Sequence, residues 1–196
     1  MASMNPSPVS GLPPCKRYIA THDSAGKSIY APSPDQTYNR GNPSATLALA
    51  RSFAVAAVPA NLTDDADIKA YEADSGPASH KNPSIVSESD SGTGANLLVI
   101  DIKPGAVSAM HRTVSIDFSI CVIGEIDHEL DGGEKVRLRP GDHIVQRGTM
   151  HRWSNPSTTQ PARFVACTLP CIPFDIAGEK LEQNFLPDPK EATSNL

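Results

Sequence analysis

Basic residues are in short supply: 17 lysines and arginines stand against 22 aspartates and glutamates, a formal net charge of −5. That balance offers no footprint for nucleic acid or an anionic membrane, so neither is expected as a partner. No apolar run approaches the roughly 20 residues that a spanning helix needs. The opening, MASMNPSPVSGLPPCKRY, has no apolar stretch behind a basic one, so no secretory leader is expected and a cytoplasmic setting is. In that setting the Asn61-Leu62-Thr63 sequon stays idle. The four cysteines, Cys15, Cys121, Cys167 and Cys171, lack both CxxC spacing and the density of a disulfide scaffold, which points to reduced thiols. Helical periodicity is scarce as well, whereas 18 prolines and 13 glycines favour a turn-rich β protein. At 196 residues the chain suits one domain with a complete core.

What the sequence does have is concentrated between Gly105 and Asn155, where four of the six histidines and the one tryptophan fall. Strand-length apolar segments alternate there with Pro-Gly, Asp-Gly-Gly and Pro-Gly-Asp turn signals, the pattern of successive antiparallel strands. In MHRTVSIDFSICVIG the period-two alternation of a strand puts His111, Thr113, Ser115, Asp117, Ser119 and Cys121 on one face. Arg112, Val114, Ile116, Phe118, Ile120 and Val122 take the other. A polar face opposed to an apolar one is backwards for a strand between core and solvent. It fits a strand whose polar face lines a wet cavity and whose apolar face packs on other strands or a second subunit. Cys121 then lines the cavity as a small apolar group. In EIDHELDGG, Ile126, His128 and Leu130 share the inner face while Glu125, Asp127 and Glu129 face solvent. His128 is either bonded to a backbone carbonyl or part of the pocket. Farther on, His151, Trp153 and Asn155 share a face, with Trp153 either a ring-binding wall or plain core.

The flanks carry less. Residues 1–14 are rich in Pro and Ser and are expected to be disordered or loosely draped. KRYIATHDSAGKSIY reads as strand, turn, strand, and residues 31–44 as a loop. TLALARSFAVAAVPANL supplies a strand, although its alanines leave a short helix open. The acidic run at Thr63-Asp64-Asp65-Ala66-Asp67 predicts a helix start, with a turn or two through Tyr71. Residues 74–95 read as a polar loop, a candidate lid. The single domain is expected over 15–176, with a surface tail over 177–196.

Two blocks within the central stretch resemble the paired motifs of the cupin superfamily. The first is Gly105-x5-His111-x-Thr113-x3-Asp117-x6-Gly124; the second is Gly141-Asp142 followed by Gln146-Arg147-Gly148-Thr149-x-His151-x3-Asn155. The wording is similar to that of short single-domain cupins common in fungi and encoded among natural-product biosynthetic genes. The resemblance implies an all-β fold, the cupin double-stranded β-helix or jelly-roll-like barrel, with roughly ten strands and little helix. Metal-binding cupins carry His, His and Glu in the first motif and His in the second; here the matching positions are His111, Thr113, Asp117 and His151. Two readings follow. His111, Asp117 and His151 hold one divalent metal (Fe, Zn or Mn), as in an Fe(II)-dependent dioxygenase. Or the cavity is metal-free, with the same three residues as acid, base and orienting carboxylate of a lyase, dehydratase, isomerase or cyclase acting on a polyketide-like molecule. Thr113, His128, Gln146 and Trp153 would contact the small-molecule substrate. A non-catalytic ligand-binding cupin is the alternative of a different class. A homodimer is expected, by sheet extension from the N-terminal strands near Ile19 and Phe53.

Overall fold

A computed structural model of the chain describes residues 7, 9–38, 46–82, 84 and 94–186. In chain order its first strands are β1 (Ile19–His22), β2 (Ser28–Ala31), β3 (Leu47–Val55) and β4 (Ala95–Ile102), with helix α1 (Ala66–Glu72) between β3 and β4. Then come β5 (His111–Arg112), β6 (Ser115–Ile123), β7 (Ile126–Leu130), β8 (Lys135–Leu138) and β9 (His143–Arg147). The remainder are β10 (His151–Ser154), β11 (Ala162–Pro170), β12 (Asp175–Ile176), β13 (Glu179–Lys180) and β14 (Asn184–Phe185). Ten of these strands form two five-stranded antiparallel sheets, in the orders β14-β5-β10-β7-β8 and β3-β4-β11-β6-β9. The all-β, double-stranded arrangement expected from the sequence is thus the one adopted. Among the described residues no helix is long and apolar enough to cross a membrane.

The inverted strand behaves as its alternation requires. Along β6, Ser115, Asp117, Ser119 and Cys121 are buried, while Phe118, Ile120 and Val122 are 42%, 38% and 40% exposed. Behind it, Leu98, Ile100 and Ile102 of β4 and Phe164 of β11 meet Ile126, Leu138 and Trp153 of the opposite sheet in one core. Cys121 belongs to that core rather than to a cavity wall; burial pushes its thiol pKa up, and its Sγ donates to the Gly124 carbonyl at 3.5 Å. The ambiguous TLALARSF stretch is the strand β3, and the acidic run leads through a 3₁₀ turn, Thr63–Asp65, into α1.

Three flanking segments and one residue of β7 differ from, or go beyond, their expectations. Residues 9–14 are not loosely draped: Ser10 Oγ donates to Asp101 Oδ2 at 2.7 Å, and the Pro13 carbonyl accepts from Arg163 Nη1 at 2.9 Å. Arg163 is itself ion-paired to Asp101 at 2.5 Å and donates to the Tyr38 hydroxyl, so the arm covers a buried charge pair. Breaking such a pair from one side costs about 3–5 kcal/mol. Residues 1–6 lie outside the described residues. In the proposed lid, Ala78 and Ser79 are buried and His80 Nδ1 bonds the Tyr71 carbonyl at 3.0 Å; residues 85–93 lie outside the described residues. Asp127, expected in solvent, is buried, because Arg137 and Lys135 on the neighbouring strand close over it at 2.7 and 2.9 Å. Their hydrogen bonds, Arg137's first, hold its carboxyl below the usual range. Past Gly178, the chain expected to be a surface tail returns to the sheet as β14, pairing Phe185 with His111. Residues 187–196 lie outside the described residues.

Candidate active site

β5 and β10 run antiparallel with His111 and His151 as direct partners, so the two imidazoles sit side by side, ring centroids 4.4 Å apart. Each ring is held from its outer edge. His111 Nδ1 meets the Ala109 carbonyl at 3.0 Å and His151 Nδ1 meets the Thr149 carbonyl at 3.0 Å. A carbonyl oxygen can only accept, so both rings carry their proton on Nδ1 and keep the Nε2 lone pair free. The corner that supplies Thr149 follows Gly148, whose φ of +63° suits glycine and whose missing Cβ leaves room for Leu181.

These rings face a cavity of about 170 Å³ between the sheets. Asp117 and Ser119 of β6 line it from the opposite sheet, as do the apolar Leu49, Leu98, Ile100 and Phe164. Thr113 lines it too, its Oγ1 sharing a 2.7 Å hydrogen bond with Ser115 Oγ. Trp153 is both core and wall: it stacks on Phe164 at 4.5 Å and meets the His151 ring edge-on at 5.7 Å. Asp117 Oδ1 is buried without a hydrogen-bond partner among the described residues. Burial pushes its carboxyl up to about 6, the nearby Ser115 hydroxyl pulling the other way. The same burial drives His151 down to about 3, helped by the proximity of His111, and lowers His111 as well. Both imidazoles are therefore neutral at physiological pH.

His128 and Gln146 make a unit of their own, lining a separate groove rather than this cavity. Gln146 Nε2 donates to the Thr149 carbonyl at 2.8 Å, which turns its Oε1 toward His128 Nε2, also at 2.8 Å. His128 thus carries its proton on Nε2, the tautomer opposite to that of its two neighbours. It is bonded to a side-chain amide, not to a backbone carbonyl. Its ring stacks near His151 at 5.4 Å and lies 4.6 Å from Trp153. Burial lowers its pKa, with the Gln146 bond acting in the opposite sense.

The expected three-donor metal set does not assemble. His111 and His151 belong to one sheet and Asp117 to the other, and among the described residues no three His, Cys, Asp or Glu side chains are grouped to hold an ion. Nor does Asp117 hydrogen-bond either imidazole; the backbone carbonyls of Ala109 and Thr149 orient them instead. One neighbour escaped the sequence reading altogether: Phe185, stacked parallel on His111 at 5.3 Å. The only trace of it in the sequence is an apolar Phe185-Leu186 pair inside a charged terminus.

Comparison with known proteins adds the following. The family model described as a cupin domain matches residues 98–168. A protein named Oryzines biosynthesis cluster protein J, from Aspergillus oryzae, is 33% identical over 93% of this chain and 97% of its own. Phomopsin biosynthesis cluster protein C′ of Diaporthe leptostromiformis is 37% identical over 84% of this chain and 83% of its own. The cupin-domain-containing oxidoreductase fogC of Aspergillus ruber is 29% identical, covering 89% of this chain and 82% of its own.

Proposed function

The chain belongs to the cupin family, and from that premise we propose that it is a small-molecule enzyme of natural-product biosynthesis whose acid–base chemistry involves no redox change. Relatives named for the oryzine and phomopsin biosynthesis clusters support the setting. The observation that carries the chemistry is the pair of neutral, carbonyl-anchored imidazoles, 4.4 Å apart, across the cavity from a carboxyl group raised to about 6. His151 Nε2 accepts a proton from the substrate, and His111 beside it ensures that only one of the two rings becomes charged. Asp117, ionised above about pH 6, stabilises the resulting imidazolium from across the cavity, and His151 returns the proton to a second substrate atom. Thr113 bonds a substrate oxygen and Trp153 packs on the part of the substrate that enters the cavity. Lyase, isomerase and cyclase reactions all fit a cavity that moves protons without electrons.

Removing His151 as His151→Gln should lower turnover by about 10²–10⁴-fold with the fold retained, the usual scale for a positioned proton-transfer group. Chelator should leave the wild-type rate unchanged, and elemental analysis of untagged protein should find far less than one equivalent of metal. A second reading, an Fe(II)-dependent dioxygenase, draws on relatives named cupin-domain-containing oxidoreductases. It requires that chelation abolish the rate, that Fe(II) restore it, and that His111→Ala be as damaging as His151→Ala; that outcome would overturn the acid–base reading. We read the working form as a cytoplasmic homodimer. Four cysteines, none in a disulfide, support the compartment, and the exposed apolar row on β6 supports the second copy.

A further inference from the structure

Val136 is the direct cross-strand partner of His128 and so shares its inward face, yet Val136 is 48% exposed. The reason lies in the topology. β8 and β9 follow one another in the chain but are edge strands of opposite sheets, and among the described residues no strand joins them. The barrel is unsealed along this side. A groove of about 830 Å³ fills the gap, its floor formed by His128 and Gln146. Pockets that hold whole small molecules run from about 300 to 1,000 Å³, so the groove qualifies and the 170 Å³ interior does not. Since the His128 ring lies 5.4 Å from that of His151 and 4.6 Å from that of Trp153, the floor of the groove lies directly behind the His151 and Trp153 wall of the reaction cavity.

The lining has a definite chemistry. Val136, Val145 and Phe174 present apolar surface there, each about half exposed. Of the two cations, Lys135 is engaged by Asp127 at 2.9 Å, whereas Arg147 has no acidic partner among the described residues. Glu134 on the same lining disfavours a second negative charge on a ligand. We propose that this groove binds the body of the substrate, an apolar ring-bearing monocarboxylate, with its carboxylate on Arg147 and its reacting end against the His128–Gln146 pair. The inference rests on the acid–base reading of the interior and adds the substrate class to it. The Gln146–His128 bond, spanning the two sheets, is the partition that the reacting end must part to reach His151.

Naphthoate, a ring-bearing monocarboxylate, tests this without knowledge of the natural substrate. Titrated into the full chain and followed by calorimetry and amide NMR shifts, it should bind saturably one-to-one and perturb Val136, Val145 and Arg147. Arg147→Gln should weaken it roughly tenfold, the scale of one lost charge-assisted hydrogen bond, and Arg147→Lys by less. His151→Gln should leave the affinity unchanged. No saturable binding, indifference to Arg147→Gln, or shifts confined to Leu49 and Ile100 in the interior would each overturn the groove assignment while leaving the interior chemistry standing. Full activity of His151→Gln would do the reverse.

Discussion

Within the cavity, Asp117 and His151 experience the same loss of water, and because one is an acid and the other a base the consequences run in opposite directions. The folded chain keeps the Asp117 proton up to about pH 6, whereas an unfolded aspartate releases it near 4. The stability that follows is fully present below about pH 4 and is lost as pH rises through about 6. His151 works the other way: an unfolded histidine takes up its proton near 6.5, and the folded one refuses it down to about 3. That contribution is intact above pH 6.5 and disappears as the solution is acidified. Asp117→Asn should therefore gain stability relative to the wild type between pH 4 and pH 8, by roughly 1–3 kcal/mol. Urea unfolding of both proteins at the two pH values measures it; an equal difference at both would mean that the carboxylate is hydrated. The inward placement of these residues was legible from parity alone, since His111, Thr113, Asp117 and His151 all line the cavity that the alternation implied. Which atom holds each proton was not legible, because it depends on backbone carbonyls at Ala109 and Thr149 whose direction no residue type encodes.

At the scale of elements, β14 is the part that composition concealed. GEKLEQNFLPD reads as a polar terminus, yet Leu181 is almost wholly buried and Phe185 pairs with His111. Two further bonds fasten the strand: Arg112 Nε to the Glu182 carbonyl at 2.9 Å and Leu186 N to the Met110 carbonyl at 2.9 Å. Two or three apolar residues without a period cannot announce a strand, since a strand this short is defined by its partner. The contact between Leu181 and Gly148 is the point where this segment can be tested. A Cβ at Gly148 would lie 2.9 Å from Leu181 Cδ2, on a backbone with φ of +63°. Gly148→Ala should cost about 1–2 kcal/mol from the left-handed conformation alone, with the clash in addition. Leu181→Ala should cost about 2–5 kcal/mol as a buried leucine truncation. The double variant should be less destabilised than the sum, because removing the leucine removes the clash. Strict additivity in urea midpoints would show that the two side chains do not meet. By contrast β6, nine residues of strict alternation, could be read with its facing intact.

On the scale of the whole molecule, the unexplained surface is the outer face of the β3-β4-β11-β6-β9 sheet. Its registers place Leu97, Cys167 and Phe118 in one line across three strands, with Ile120 and Val122 continuing along β6. Apolar side chains gathered in this way on a monomer mark an interaction site more often than chance exposure. Sequence showed that this face was apolar, but a pattern within one chain cannot say what covers it. Sheet extension from β3 was the route expected, and β3 is indeed an edge strand, although Tyr38 bridges to its Ala50 and β1 is taken up in a hairpin with β2. The face carries the exposed side chains of Phe118, Ile120 and Val122, and a two-fold axis would set the row against itself, as an isologous contact requires. Sedimentation at micromolar concentration should give twice the 20.8 kDa chain mass. Phe118→Glu places a charge in the middle of the row, opposite its own copy across the axis, and should sediment at the single-chain mass with an unchanged β-sheet circular dichroism spectrum. A dimer that survives Phe118→Glu would move the contact to the β3 edge, and a wild-type monomer would leave the apolar row without a second copy to cover it.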